Sequence, residues 1–248
     1  MSQNQEDKKV ALVTGANRGI GLETARQLGQ KGITVVVGAR KFADAEKTAS
    51  TLQAEGVAAV ALKLDVTSPE DRAAAVTYIS EKFGKLDILI NNAGVNGSHG
   101  FEPVNSQTTD EELQSIFHTN FFAVHALTRE LLPLLKKSPA GRIVNLSSIL
   151  GSLALHATPG SPIYDFKSLA YDASKSALNA FTIHLAWELK DTPIKVNSAH
   201  PGWVKTDMGT DAAPMEIPDG AKTSVELALL GPDGPSGRFI HLGNELPW

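Results

Sequence analysis

The chain has 248 residues, of which 42% are hydrophobic and 20% charged, and its net charge is -4. That balance excludes the basic field that would mark a nucleic acid or an anionic membrane as partner, and the absence of cysteine excludes a disulfide framework, thiolate chemistry and cysteine-ligated metal. Residues 1–9 are polar and lack the apolar stretch of a signal peptide, and no run approaches the roughly eighteen apolar residues of a membrane span, so a soluble cytoplasmic protein is expected.

Residues 1–9 read as a flexible tail, and a short apolar run at 10–13 ends at Thr14-Gly15. A helical pattern runs from Gly19 to about Gln30, and Gly32 closes it. The β-branched block 33–37 reads as a strand buried on both faces; a helix over about 43–55 and a third strand at 58–64 follow. Ser68-Pro69-Glu70-Asp71 supplies an N-cap, a first-turn proline and early acids for a helix that ends near Gly84, and a fourth strand covers 86–90. Thr109 and Glu112 have capping-box spacing. Beyond them Leu113, Ile116, Phe117, Phe121, Val124 and Leu131 recur at helical period through one long helix that Pro133 is expected to bend or end. A fifth strand at 142–147 is followed by a loop to about Ala170 and a helix over 171–190, with Leu178, Thr182, Leu185 and Leu189 inward. A sixth strand at 194–199, a helix at about 219–230 and a last strand at 238–242 complete the chain.

Length alone allows one or two domains, but the elements alternate without repeat, low-complexity segment or linker. The pattern predicts an α/β fold in one domain spanning residues 10–248. Its core is a doubly wound parallel sheet of about seven strands, with helices on both faces.

The first strand runs into Thr14-Gly15-Ala16-Asn17-Arg18-Gly19-Ile20-Gly21 and then a helix. Glycines allow tight turning and close backbone approach, and free amides at a helix N-terminus attract a pyrophosphate. A glycine-rich turn without a ligand is the plainer alternative; the strand, glycines, helix and following strand in sequence favour a dinucleotide. The spacing is G-x-x-x-G-x-G in place of G-x-G-x-x-G. An acid about twenty residues past the glycines suits a free ribose, whereas an arginine there suits a 2'-phosphate. Arg40 lies 19 residues after Gly21 and no carboxylate competes until Asp44, so NADP(H) is favoured over NAD(H). Arg18 is placed to add to the same phosphate site. Arg40 as a solvated charge at a strand end is the alternative.

Tyr171 and Lys175 are four residues apart, so in a helix they share one face about 6 Å apart along the axis. A phenol has a pKa of about 10, too weak an acid at neutral pH, and a nearby ammonium is expected to lower it.

Thr14-Gly15-x-x-x-Gly19-x-Gly21, Asn91-Asn92-Ala93-Gly94, Asn120, Ser148, Tyr171-x-x-x-Lys175 and Pro201-Gly202 together resemble the short-chain dehydrogenase/reductase family, from residue 10 to the end. Residues 201–208, the segment 219–222 and the Pro247-Trp248 ending are similar to carbonyl reductases. The resemblance implies a Rossmann-type sheet and reduction of an aldehyde, ketone or quinone by NADPH. Tyr171 would be the general acid, Lys175 would lower its pKa and hold the nicotinamide ribose, Ser148 would bind the substrate oxygen, and Asn120 would order a water behind the lysine. Asp65, with Val66 beside it, would hold the adenine amino group, unless it only caps a helix. Asn92, Ala93 and Gly94 would pass beneath the cofactor, unless they form only a strand-end turn. Pro201, Gly202, Val204 and Thr206 would border the nicotinamide.

Ser148 and Tyr171 are 23 positions apart, a longer separation than in the simplest family members, because residues 153–169 form an extra loop with a second tyrosine, Tyr164. Similar material in carbonyl reductases often blocks helix pairing, so the resemblance favours a monomer and leaves a homo-oligomer open. Substrate is expected against residues 95–101, 150–155 and 203–215, where Leu153, Trp203 and Met208 suit a small apolar or aromatic carbonyl. Two rival readings are an NADPH-binding sensor without turnover and a sugar-nucleotide epimerase or dehydratase. The first would be expected to lack Ser148, Tyr171 or Lys175, and the second to carry more than the 46 residues that follow Gly202. The seven histidines show no paired metal-ligand spacing, so no metal is expected, and His200 is left without a role.

Overall fold

The computed structural model describes residues 8–97 and 105–248. Eight strands form one sheet in the order β3-β2-β1-β4-β5-β6-β7-β8. They are β1 (Val10–Thr14), β2 (Thr34–Ala39), β3 (Ala59–Lys63), β4 (Ile88–Asn91), β5 (Arg142–Leu146), β6 (Lys195–Ala199), β7 (Phe239–His241) and β8 (Asn244–Glu245). The helices are α1 (Gly19–Gln30), α2 (Phe42–Ala54), α3 (Pro69–Phe83), α4 (Asp110–Phe117), α5 (Ala123–Leu135), α6 (Leu153–Ala157), α7 (Leu169–Glu188) and α8 (Ile217–Ala228). All pairings from β1 to β7 are parallel.

Successive strand residues point to opposite faces, and each face has its own core. Leu12, Val36, Leu89 and Val196 join Leu127 and Leu131 of α5 and Leu185 of α7 on one side. Val13, Val35, Ile88 and Ile90 join Leu28 of α1, Leu52 of α2 and Val225 of α8 on the other. Strand order reverses between β1 and β4, the place where a parallel sheet opens a crevice beyond its strand ends.

Local signals set several boundaries. Ser68 Oγ accepts from Asp71 N at 3.1 Å at the start of α3, and Gly84 ends that helix in the left-handed region at φ 72°. Elsewhere the structure departs from the pattern. The single helix expected from Thr109 is α4 and α5 joined by a π-helical turn, His118–Phe122, and the helix continues through Pro133 to Leu135. One extra residue in a helical turn changes the facing of the side chains within it without erasing the apolar period on either side. The expected loop after β5 contains a 3-10 turn, Ile149–Gly151, and the short helix α6, which Ser152 caps by accepting from Leu155 N. The sheet has eight strands where about seven were expected. Leu242 and Gly243, both at positive φ, turn the chain so that β8 pairs antiparallel with β7, and Leu242 is an unusual residue for such a turn.

A buried chain of polar side chains crosses this framework. Asn91 Nδ2 donates to Thr128 Oγ1 at 3.0 Å and to Asn145 Oδ1 at 2.8 Å, and Asn145 Nδ2 donates to Thr182 Oγ1 at 2.9 Å. Thr182 Oγ1 meets Ser198 Oγ at 2.8 Å, so β4, β5, β6, α5 and α7 are held in one register. Asn145→Ala removes the central link and is expected to lower unfolding free energy by about 1–3 kcal/mol. Urea denaturation would show this as a lower midpoint at unchanged slope, and an unchanged midpoint would count against the linkage.

Candidate active site

The β1–α1 turn is shaped by contacts with the exit of β4. Thr14 Oγ1 accepts from Asn92 N and Ala93 N, each at 3.0 Å, while Asn92 Nδ2 donates to Thr14 O at 2.7 Å and Gly15 O at 3.1 Å. Gly15 and Gly19 take positive φ, and a Cβ on Gly21 would lie 2.4 Å from both Asn92 Nδ2 and Gly15 O. Glycine is therefore required here by sterics within the protein itself. Helix α1 has neither a side-chain cap from Arg18 nor an acid in its first turn, whereas α3 has Ser68, Glu70 and Asp71 in those roles. An uncapped N-terminus without a carboxylate fits a phosphate. Arg40 is exposed just past β2, and among the described residues no carboxylate is paired with it, which fits a second anionic group.

The remaining predicted residues occupy the same edge of the sheet. Asn17 and Ile20 lie in the glycine turn, where Asn17 O accepts from Thr48 Oγ1 at 3.4 Å. Arg18 is ion-paired with Asp207, both side chains being exposed. Asp65 Oδ1 accepts from Thr67 N and Thr67 Oγ1 in the turn ahead of α3, whose cap is Ser68, and Val66 beside it is buried. Beyond β6, Pro201 and Gly202 lead to Val204, which bridges to Met215, and to Thr206, whose methyl lies 3.6 Å from a Cβ position on Gly19.

Helix α7 presents Tyr171 and Lys175 to the end of β5. Tyr171 is 7% exposed and hydrogen-bonded with Ser148, whose own Oγ accepts from Leu150 N at 3.2 Å. Lys175 is 5% exposed; its Nζ donates to Leu146 O at 2.8 Å and stands 5.6 Å from the Tyr171 ring centroid. Asn120, fully buried in the π turn, accepts from Val95 N at 2.9 Å and donates to Val95 O at 2.8 Å and Ser174 Oγ at 3.0 Å. Its side-chain amide is thus occupied in joining the β4 exit to α7.

The electrostatics correct one expectation. Burial pushes the Tyr171 phenol up to about 12, and the neighbouring Asp172 adds to the rise against the opposing bond with Ser148. Burial prevails over the neighbouring ammonium, whose Nζ stands 5.6 Å from the ring centroid and is directed to Leu146 O. Burial also pushes Lys175 down to about 8.

Sequence patterns did not reveal the cluster that ties the extra segment to α7. Asp172 Oδ2 accepts from Ser168 N at 2.8 Å and lies 3.3 Å from His156 Nε2. His156 Nε2 is 2.9 Å from Leu150 O, and Nδ1 is 3.1 Å from Lys167 Nζ. A carbonyl on one side and an ammonium on the other assign the Nε2–H tautomer. The signal available was an acid adjoining Tyr171 on a mostly apolar helix, but its partners are 5 and 16 positions away and unremarkable in themselves. Tyr164 is 38% exposed, its ring under Lys167 Nζ at 5.0 Å. Of the expected substrate walls, residues 98–101 lie outside the described residues; Leu153 and Trp203 are exposed.

A family model described as short chain dehydrogenase matches residues 9–217. The chain belongs to the short-chain dehydrogenase/reductase family. Carbonyl reductase [NADPH] 3 of Rattus norvegicus is 34% identical over 270 residues, covering 94% of this chain and 95% of its own. The structure of an NADPH-bound carbonyl reductase from chicken fatty liver matches with a TM-score of 0.84 at 28% identity, over 97% of this chain and 99% of its own. Salutaridine reductase from Papaver somniferum matches with a TM-score of 0.81 at 31% identity, over 94% and 99%. Within the family the chain is carbonyl reductase-like.

Burial pushes Asp172 up to about 6, against the pull of Ser168 N–H and Lys167. A carboxyl whose folded pKa is raised favours folding while protonated, and that advantage is lost as pH rises from the unfolded value through about 6. Relative to Asp172→Asn, wild-type protein is therefore expected to gain about 2–3 kcal/mol of stability between pH 7 and pH 4. Chemical denaturation of the two proteins at a series of pH values reads this; a pH-independent difference would contradict the burial argument.

Proposed function

We propose that this protein reduces the carbonyl group of a small apolar or aromatic aldehyde, ketone or quinone to an alcohol, with Tyr171 delivering the proton. It is an oxidoreductase of its family and its cofactor is NADP(H). The observation that carries the reading is the buried Tyr171 phenol, bonded with Ser148 and set beside the buried Lys175 ammonium, at the sheet edge that also holds the glycine turn. The relatives named carbonyl reductase, one of them with NADPH bound, support it.

The glycine turn from Gly15 to Gly21 and the start of α1 would hold the pyrophosphate, Arg40 with Arg18 the 2'-phosphate, and Asp65 and Val66 the adenine. Asn92, Ala93 and Gly94 would lie beneath the ribose and nicotinamide, with Pro201, Gly202, Val204 and Thr206 at their border. When bound, NADPH supplies the hydride. Negative charge would then develop on the carbonyl oxygen, and two hydroxyls with little exposure, from Tyr171 and Ser148, are placed to donate to it. At about 12 the phenol carries its proton throughout the neutral range, so it is a donor in its resting form. Lys175 uses one N–H on Leu146 O, and its other donors would hold the ribose hydroxyls. The amide of Asn120 is committed to Val95 and Ser174, and Asn120 would support from the π turn the water that returns protons behind Lys175.

Tyr171→Phe is expected to lower kcat for NADPH-dependent carbonyl reduction by about 100-fold or more, the range for a lost general acid. NADPH affinity, measured separately by fluorescence titration, should be retained, and near wild-type turnover would sink the proposal. Arg40→Asp should reverse or abolish the preference for NADPH over NADH in kcat/KM, and an unchanged ratio would remove Arg40 from the phosphate site.

A further inference from the structure

The ring of His200 lies between the ends of β5 and β6 and takes no part in the chemistry above. It is 8% exposed. Its Nδ1 accepts from Ile149 N at 3.2 Å and from Gly202 N at 3.4 Å. Ile149 directly follows Ser148 and Gly202 directly follows Pro201, so a single nitrogen joins the backbone behind the Ser148 hydroxyl to the backbone of the proposed nicotinamide border. The main chain of His200 is fixed as well. Its N–H donates to Ile240 O at 2.8 Å, and its carbonyl lies 2.9 Å from His241 Nδ1.

The chemistry of these contacts allows one protonation state. Two converging N–H donors require an unprotonated Nδ1, so the ring proton sits on Nε2. Protonating Nδ1 would set a third donor against two. Burial, with the His241 ring 4.7 Å away, pushes His200 down to about 3 and keeps this acceptor available. The Gly202 amide has little freedom to find another partner. Gly202 is at φ 92°, and a Cβ there would meet Met215 Sδ at 2.1 Å, so the loop is packed around this conformation.

We propose that His200 is a positioning residue: its unprotonated Nδ1 clamps the backbones at Ile149 and Gly202 together and so holds the Ser148 hydroxyl in place against Tyr171. The clamp rests on the reading of Ser148 and Tyr171 as the groups that meet the carbonyl oxygen. It acts through those groups and touches neither substrate nor cofactor.

Two substitutions separate the acceptor from the bulk of the ring. His200→Asn keeps an acceptor oxygen near the position of Nδ1, whereas His200→Leu fills the space without one. The Leu variant is expected to lose about 30-fold in kcat, since a displacement of ~1 Å can reduce turnover by ~100-fold, with KM for NADPH changed less than about threefold. The Asn variant should recover most of that kcat. A folded Leu variant with wild-type kcat, or an Asn variant as slow as the Leu variant, would overturn the proposal. Nitrogen-15 NMR of the wild-type imidazole at pH 7 adds a readout that needs neither folding of a variant nor turnover. An unprotonated, hydrogen-bonded Nδ1 supports the clamp and a protonated Nδ1 overturns it. Absence of carbonyl reduction by the wild type would strike the proposed function and leave the NMR result readable.

Discussion

A lysine ammonium almost wholly buried, with no carboxylate paired to it among the described residues, is the constraint around which the candidate active site is built. Removing a charge from water is costly, and the fall of Lys175 to about 8 expresses that cost. The fold tolerates it by bringing three elements to one point. The end of β5 offers Leu146 O, α7 carries the lysine inward, and β4 exits through Gly94, where a Cβ would stand 3.6 Å from Nζ and 3.3 Å from Asn120 Oδ1. A larger residue at 94 would close the approach to the ammonium.

The same logic extends to the neighbours of the lysine. Asn120 is placed by a π turn so that one amide satisfies Val95 on one side and Ser174 on the other. Ser174 Oγ in turn donates to Tyr171 O at 2.7 Å, so the first turn of α7 is braced beneath the phenol. The extra segment after β5 meets that turn through His156, Lys167 and Asp172, next in sequence to Tyr171. His200 joins the loops beyond β5 and β6 from the opposite direction. Tyr171 and Ser148 are therefore held by backbone and buried polar contacts on several sides, as hydroxyls must be if they are to meet developing charge without reorganising.

Much of this was legible in the chain where a local physical rule acts alone. Ser68-Pro69 and Gly84 bound α3 as capping rules require, Gly15 and Gly19 take the positive φ that favours glycine, and Gly21 stands where a Cβ would clash. The sheet, its parallel sense and the placement of Tyr171 and Lys175 on one helix followed from alternation and spacing. What was not legible depends on non-local packing. The π turn leaves the apolar period on either side intact, so nothing in the pattern marks it. The β7–β8 turn uses Leu242 at φ 45°, outside the usual glycine and asparagine vocabulary. The direction of the Tyr171 shift turned on burial and on where Nζ points, neither of which a spacing of four residues contains. His200 was visible as a residue, but its role lies in two backbone amides that no sequence motif records.

The Lys175 ammonium is buried beside Tyr171, and its own titration reads that burial directly. Selective labelling of lysine with carbon-13 at Cε, assigned by comparison with Lys175→Met, would give the pKa by NMR. A value near 8 is expected. A value at or above the ordinary lysine pKa of about 10.4 would show a solvated or carboxylate-paired amine and would contradict it.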